Sequence, residues 1–382
     1  MPEFPKKLQQ KLDKRKENAS LRSLPVFKEN RVDFASNDYL GYSKSEELFQ
    51  IVHQFLLDRN CTQNGATGSR LLTGNHSLYQ EAEDFIANFH SSESALIFNS
   101  GYDANVGFFG SIPQRGDIIL FDEYCHASIR DGIQLSNAKS YKFIHNDLED
   151  LEALLEKYSS SHSLIYIVTE SVFSMDGDSP DLEEMVRISE KFTAHFVLDE
   201  AHALGVFGNK GEGLVQHLNL QEKVFARIMT FGKGLGCHGA AILGASLLKE
   251  YLVNFARSFI YTTGLSPHSV ACILKAYELL EQEQFALKNL RENIAHFNQE
   301  KQLLGLKPLF VRNKSAIQSA IIPGNEKVKD IALNLQEKGF DVKAILSPTV
   351  PEGQERLRFC LHSYNTKEEI SQVLQVLSSS LF

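Results

Sequence analysis

Three consecutive stretches decide the fold: LIYIVT (164–169), DLEEMVRISEKF (181–192) and HFVLD (195–199). The first and third are short, apolar and rich in β-branched residues, as strands buried on both faces are. The middle one is amphipathic with helical spacing. Outward from this unit the same alternation runs from about residue 94 to 245. Residues 95–98, 118–122, 141–144, 228–230 and 240–243 read as further strands, and residues 148–158 as another amphipathic helix. Strands alternating with helices predict an α/β fold whose mostly parallel sheet is covered by helices on both faces. Ligands in such sheets sit beyond the carboxyl ends of the strands, so polar residues that directly follow a strand become the candidates.

After about residue 285 the pattern changes to a long polar helix, then short strands around 316–322 and 356–362, and a last helix from Lys367. This predicts a smaller α+β C-terminal domain. The expected division is an N-terminal arm or helix at 1–45, a large domain at 46–285 and a small one at 286–382.

With 382 residues, 43% of them hydrophobic, the chain can bury a sizeable core. A formal charge of −9 argues against nucleic acid, which calls for a basic face, and favours a small-molecule partner. The five cysteines, Cys61, Cys125, Cys237, Cys272 and Cys360, are odd in number and scattered, so neither a disulfide framework nor a zinc site is suggested. No apolar run approaches the roughly 18 residues of a membrane span, and the start, MPEFPKKLQQKLDKRK, lacks the apolar core of a signal peptide. The expectation is a soluble, cytoplasmic protein with no membrane partner. The basic start reads as a solvated helix leaning on the body of the protein; the sharper reading, an arm for anionic lipid or nucleic acid, finds no support elsewhere in the chain.

Four segments carry chemistry. In TFGKGLG (230–236), glycines on both sides of Lys233 let the backbone approach a bound group, and a lysine attacks carbonyls as its free amine. Taken alone, a Gly-Lys-Gly turn is more readily a solvated surface feature. In HFVLDEAH (195–202), Asp199 ends an apolar strand, where it can either cap the next helix or pair with a protonated pyridine nitrogen. His202 follows three residues later, within reach of a phenolic oxygen. In FDEYCHAS (121–128), His126 offers a flat ring for stacking on a cofactor. The pairs Cys125-His126, Cys237-His238 and Cys360-x-His362 have too few ligands for a metal. In FNSGYDAN (98–105), a strand runs through Ser100 and Gly101 into a helix whose first N–H groups suit a phosphate. No G-x-G-x-x-G follows a strand and no G-x-x-x-x-G-K-[ST] occurs, so dinucleotide and P-loop readings lose their main support. The loop GATGSRLLTG (65–74) is either an active-site loop or a plain turn.

Together, SNDYLGYS (36–43), GATGSRLLTGNH (65–76), NSGYDAN (99–105), CHAS (125–128), ESVFSMDGD (170–178), LDEAHALGVFG (198–208) and TFGKGLG (230–236) resemble the α-oxoamine synthases over nearly the whole chain. The resemblance implies the aspartate-aminotransferase fold (fold type I) and pyridoxal 5'-phosphate (PLP) as cofactor. It implies that Lys233 holds the cofactor as a Schiff base, that Asp199 pairs with its ring nitrogen and that His126 stacks on the ring. Gly101 and Tyr102 would contact the cofactor, Ser174 and His202 would hydrogen-bond it, and Thr230 would bind its phosphate. Thr262 or Thr263 would reach the phosphate of a neighbouring subunit, which makes a homodimer with shared sites the expected assembly. Arg22, Asn37, Thr349 and Arg358 match substrate-side positions. Arg356 and Arg358 alternate along a predicted strand, so both guanidinium groups share one face. Arg358 is favoured as the anchor of a substrate carboxylate, and a surface ion pair is the bland alternative for both.

Within the family, TFGKGLG, TVPEG (349–353) and the compact length are most similar to members that join L-alanine to pimeloyl-CoA, or to its carrier-protein form, in biotin biosynthesis. Such an enzyme releases the thiol and CO2 and gives an aminoketone. The departures are Cys125, where relatives often have Asn or Ser, and GNKGEG (208–213), which replaces a glycine loop that often contains Arg. Another acyl-CoA with glycine or serine remains open. So do a PLP aminotransferase, which would need no thioester, and a PLP-binding regulator, for whose DNA-binding domain there is no room before Ser36.

Overall fold

The computed structural model describes residues 3–18, 20–22, 24, 30–159 and 163–381. Twelve strands are present among them: β1 Val32–Asp33, β2 Ser94–Phe98, β3 Ile118–Asp122, β4 Lys139–Phe143, β5 Ile165–Glu170, β6 His195–Asp199, β7 Ala226–Thr230, β8 Ala240–Gly244, β9 Ile317–Ile321, β10 Phe340–Asp341, β11 Lys343–Ile345 and β12 Arg356–Cys360. Seven of them form one sheet in the order β2-β8-β7-β6-β5-β3-β4. Only β8 runs against its neighbours, so the expected mostly parallel sheet is observed. Its central strands divide their side chains by alternation. Ile119, Tyr166, Val168 and Val197 enter one buried cluster, while Ile118, Leu120, Ile165, Ile167, Phe196 and Leu198 enter another on the opposite face.

The helix Leu182–Lys191 shows how the local sequence builds the cover. Asp181 caps it by accepting the N–H of Glu184 at 3.1 Å; Glu183 and Glu184 sit in its first turn and Lys191 in its last, complementing the helix dipole. Leu182, Met185, Val186 and Ile188 form its buried stripe against the sheet. The ends are one residue inside the expected 181–192 because capping residues are not themselves helical.

The C-terminal part holds an antiparallel sheet, β11-β12-β9, and the final helix Lys367–Leu381. β1 pairs in parallel with β10, joining residues 32–33 to 340–341. One large apolar cluster then runs from Phe34 and Tyr39 through the helix Pro267–Gln282 to Phe359 and Leu377. The helix Lys6–Glu17 buries none of its side chains and borders a groove with Gly324, Ser347 and Glu352. Among the described residues, no helix is long and apolar enough to cross a membrane.

Candidate active site

The parallel strands β3, β5, β6 and β7 end in Asp122, Glu170, Asp199 and Thr230, so the period of the fold delivers these polar groups to one edge of the sheet. Lys233 follows β7 in a tight loop closed by Phe231 N–H to Gly239 O at 3.0 Å, Cys237 N–H to Phe231 O at 2.9 Å and Gly236 N–H to Lys233 O at 2.9 Å. Gly234 lets this loop lie against the chain that follows Asp199: a Cβ there would collide with the carbonyl oxygen of Leu204. Burial pulls the Lys233 amine below its ordinary pKa, with Asp199 and Glu170 opposing. Lys233 makes no ion pair among the described residues.

Asp199 is fixed at both oxygens. Asn105 donates to Oδ2 at 2.8 Å and the N–H of Ala201 to Oδ1 at 2.8 Å. Asn105 also donates to Ser128 Oγ at 3.0 Å, and Ser128 Oγ lies 2.7 Å from His126 Nδ1. His126 is thereby oriented at the start of the helix Ala127–Leu135. Burial, helped by the charges of Lys233 and Arg130, pulls its pKa down against Asp199. Beneath it, Glu170 is the cross-strand partner of Asp199 and accepts the His126 N–H at 2.5 Å. Burial and then the Asp199 charge push the Glu170 carboxyl up to about 8.

Arg358, expected on the substrate side, is equally constrained. Arg358 Nε donates to Ser174 O at 2.7 Å and Nη2 to Asn37 Oδ1 at 2.8 Å. Asn37 also accepts from the Tyr39 hydroxyl at 3.3 Å, and that hydroxyl lies 2.7 Å from His202 Nδ1. His202 is buried, its pKa held well below the ordinary value first by burial and then by the charge of Lys233. Its Nε2 has no hydrogen-bond partner among the described residues. Arg356 and Arg358 do share a face of β12, and they differ in partners: Arg356 is ion-paired with Asp176 and donates to Gln354 O, whereas Arg358 has no carboxylate partner among the described residues. Ser174, Thr349 and His126 line one cavity of 280 Å³.

Gly101 opens the helix Gly101–Ser111, capped by Ser100, and a Cβ on it would stand 2.6 Å from Thr230 Oγ1. Glycine alone therefore leaves a cradle between the Thr230 hydroxyl and the free N–H groups of the first turn, the setting a phosphate requires. Tyr102 is half exposed and donates to Asp131 at 2.6 Å. Asn99 of the same chain donates to Thr262 Oγ1 at 3.1 Å and Thr263 O at 2.6 Å, two residues ahead of Gly101. The N–H of Gly264 binds Gly68 O at 2.9 Å, so the glycine-rich loop at 65–74 and the segment 261–264 form one surface. Arg22 is exposed, with no hydrogen bond or ion pair among the described residues. A phosphate cradle, an anchored carboxylate, an oriented imidazole and a partly buried lysine amine together fit PLP.

Residue-type reasoning passed over Asn105, Glu170 and Tyr39, although each lies in a quoted motif. Glu170 carried a readable signal, since it ends an apolar strand as Asp199 does. Asn105 and Tyr39 carried none, because their roles arise from partners 94 and 163 residues away. The structure also brings two scattered cysteines together, with Cys237 Sγ and Cys272 Sγ 3.5 Å apart.

The aminotransferase class I and II family model matches residues 29–377. An 8-amino-7-oxononanoate synthase of Emericella nidulans is 41% identical over 399 residues, covering 98% of this chain and 95% of its own. A putative 8-amino-7-oxononanoate synthase of Bacillus cereus is 38% identical, covering 94% and 92%. Among solved structures, the serine palmitoyltransferase of S. paucimobilis with PLP and myriocin superposes with a TM-score of 0.88 at 25% identity, covering 98% of this chain and 96% of that one. The 8-amino-7-oxononanoate synthase of Francisella tularensis does so with a TM-score of 0.78 at 29% identity, covering 93% and 98%. The chain is thus a PLP-dependent enzyme of fold type I and belongs to the aminotransferase class I and II family, within it to the α-oxoamine synthases.

Proposed function

We propose that this enzyme condenses L-alanine with a pimeloyl thioester, giving 8-amino-7-oxononanoate, CO2 and the free thiol in biotin biosynthesis. The observation that carries the reading is the carboxylate of Asp199, locked by Asn105 and the Ala201 N–H. The curated relatives at 38–41% identity support the choice of substrates.

When bound, PLP supplies an electron-withdrawing ring that stabilises negative charge at the amino acid's Cα. Asp199 would hold a proton at the pyridine nitrogen, and its two hydrogen bonds keep the carboxylate oriented for that task. His126 would lie on the ring face, and His202 Nε2 would donate to the phenolic oxygen. Thr230 and the N–H groups of Gly101 and Tyr102 would receive the phosphate. Arg358 spends Nε and Nη2 on Ser174 and Asn37, and its remaining N–H groups would take the amino acid's carboxylate. Lys233, with its amine pKa lowered by burial, is suited to remove the Cα proton as a general base.

We place two such chains in a cytoplasmic homodimer with shared sites. Tyr261 (72% exposed) and Leu72 (82% exposed) stand on the joined 65–74 and 261–264 surface, an apolar face of the kind that subunit contacts cover. Thr262 and Thr263 would complete the partner's phosphate site.

A second reading, L-serine with a long-chain acyl-CoA, is favoured by the higher TM-score with serine palmitoyltransferase. Thiol release measured for L-alanine, glycine and L-serine against pimeloyl-CoA and palmitoyl-CoA separates the two. Fastest release from L-alanine and pimeloyl-CoA is expected. Fastest release from serine and palmitoyl-CoA would replace the proposal, and keto-acid formation without thioester would make the enzyme an aminotransferase.

A further inference from the structure

The cavity beside His126 contains one cation that nothing in the chemistry above uses. Its charged lining consists of Glu123, Asp176, Arg130 and Arg356. Glu123 pairs with Lys142 at 3.0 Å and Asp176 with Arg356. Arg130 has neither an ion pair nor a side-chain hydrogen bond among the described residues. It lies four positions beyond His126 on the helix Ala127–Leu135, one turn along the same face. The rest of the wall is largely apolar, with Phe173, Met175, Val350 and Pro351. An unpaired guanidinium at an apolar slot suits a ligand with an aliphatic body and an anionic end.

The apolar wall of Phe173, Met175, Val350 and Pro351 suits a short acyl chain with a terminal carboxyl. We propose that Arg130 is the receptor for an anionic group of the acyl thioester, the terminal carboxylate of a short dicarboxylic chain lying along Phe173 and Val350, and that it sets the preference for dicarboxylic over monocarboxylic acyl groups. This rests on the condensation proposed above and names its specificity residue. The same anion chemistry could come from the phosphates of coenzyme A, so the test separates the two sources.

Holoenzyme and its R130A and R130K variants are assayed for thiol release with L-alanine and three thioesters: pimeloyl-CoA, heptanoyl-CoA and the N-acetylcysteamine thioester of pimelate, which has no phosphate. A charge-assisted hydrogen bond of ~1.5–3 kcal/mol predicts that R130A lowers kcat/KM for both pimeloyl thioesters by about 10- to 100-fold, chiefly through KM. Heptanoyl-CoA should change less than about 2-fold, and R130K should recover part of the loss. A loss confined to the two CoA thioesters would move the anion to the coenzyme phosphates and overturn the carboxylate assignment. An equal loss on all three, or no loss on any, would overturn the receptor itself. If the wild type turns over none of the three, the condensation reading has failed, and calorimetric binding of pimeloyl-CoA and heptanoyl-CoA decides Arg130 separately. A pimeloyl preference that R130A abolishes supports the receptor, and equal binding of the two thioesters by the wild type sinks it.

Discussion

Asn105 Nδ2 lies 2.8 Å from Asp199 Oδ2, a bond that spans 94 residues and ties the first helix after β2 to the end of β6. Asp199 therefore keeps one orientation before any ligand arrives. Asn105→Ala should leave the fold intact and lower kcat by up to about 10²-fold, the scale of a misplacement near 1 Å. Asp199→Asn, which cannot keep a pyridine nitrogen protonated, should lose most activity. Near-normal turnover in either variant, with the loaded protein confirmed folded, would refute the positioning role.

Lys233→Ala should abolish turnover while the phosphate and ring contacts still hold the cofactor non-covalently. Borohydride reduction of the wild type followed by peptide mapping should tag Lys233. A tag on any other lysine would sink the assignment.

The shared site predicts complementation. Lys233→Ala chains mixed with Thr262→Ala/Thr263→Ala chains place both defects in one site of the heterodimer and none in the other, so activity should return through the intact site. Heterodimers verified by mass that stay inactive, although both homodimers are folded, would end the shared-site proposal.

Arg227 donates to Glu200 Oε2 at 2.9 and 2.6 Å, and Glu200 Oε1 takes the N–H groups of Leu214 and Val215. Both side chains are buried, so Arg227→Met leaves an uncompensated charge beneath the site. Urea unfolding should show a loss of about 3–5 kcal/mol. A loss below ~1 kcal/mol would mean that Glu200 finds another partner.

Burial pulls the His145 imidazole down, but its bonds to Asp122 at 2.9 Å and Asp178 at 2.8 Å outweigh this and raise it from 6.5 to about 9. The folded pKa is the higher one, so this stabilisation is fully present below about 6.5 and disappears as the pH rises through about 9. His145→Gln should remove on the order of 2 kcal/mol at pH 6 and nearly nothing above pH 10. A variant whose deficit is the same at both pH values would show that the imidazolium is not the source.

The sequence by itself determined the layered architecture and the identity of the groups at the sheet edge. Short continuous apolar runs alternating with amphipathic helices admit few arrangements, and parallel strands bring their terminal residues to one side. Asp199, Thr230 and Lys233 were therefore legible as neighbours from their places after strands. Tertiary structure alone decided which of these groups are held and by what. Arg356 and Arg358 look alike along β12, and only the position of Asp176 on the facing loop gives the first a carboxylate partner and leaves the second with neutral ones, Ser174 O and Asn37 Oδ1. Tyr39 meets His202, Asn105 meets Asp199 and Cys237 meets Cys272 for the same reason. A hydrogen bond is made over about 3 Å of space between segments whose separation along the chain carries no trace of that distance.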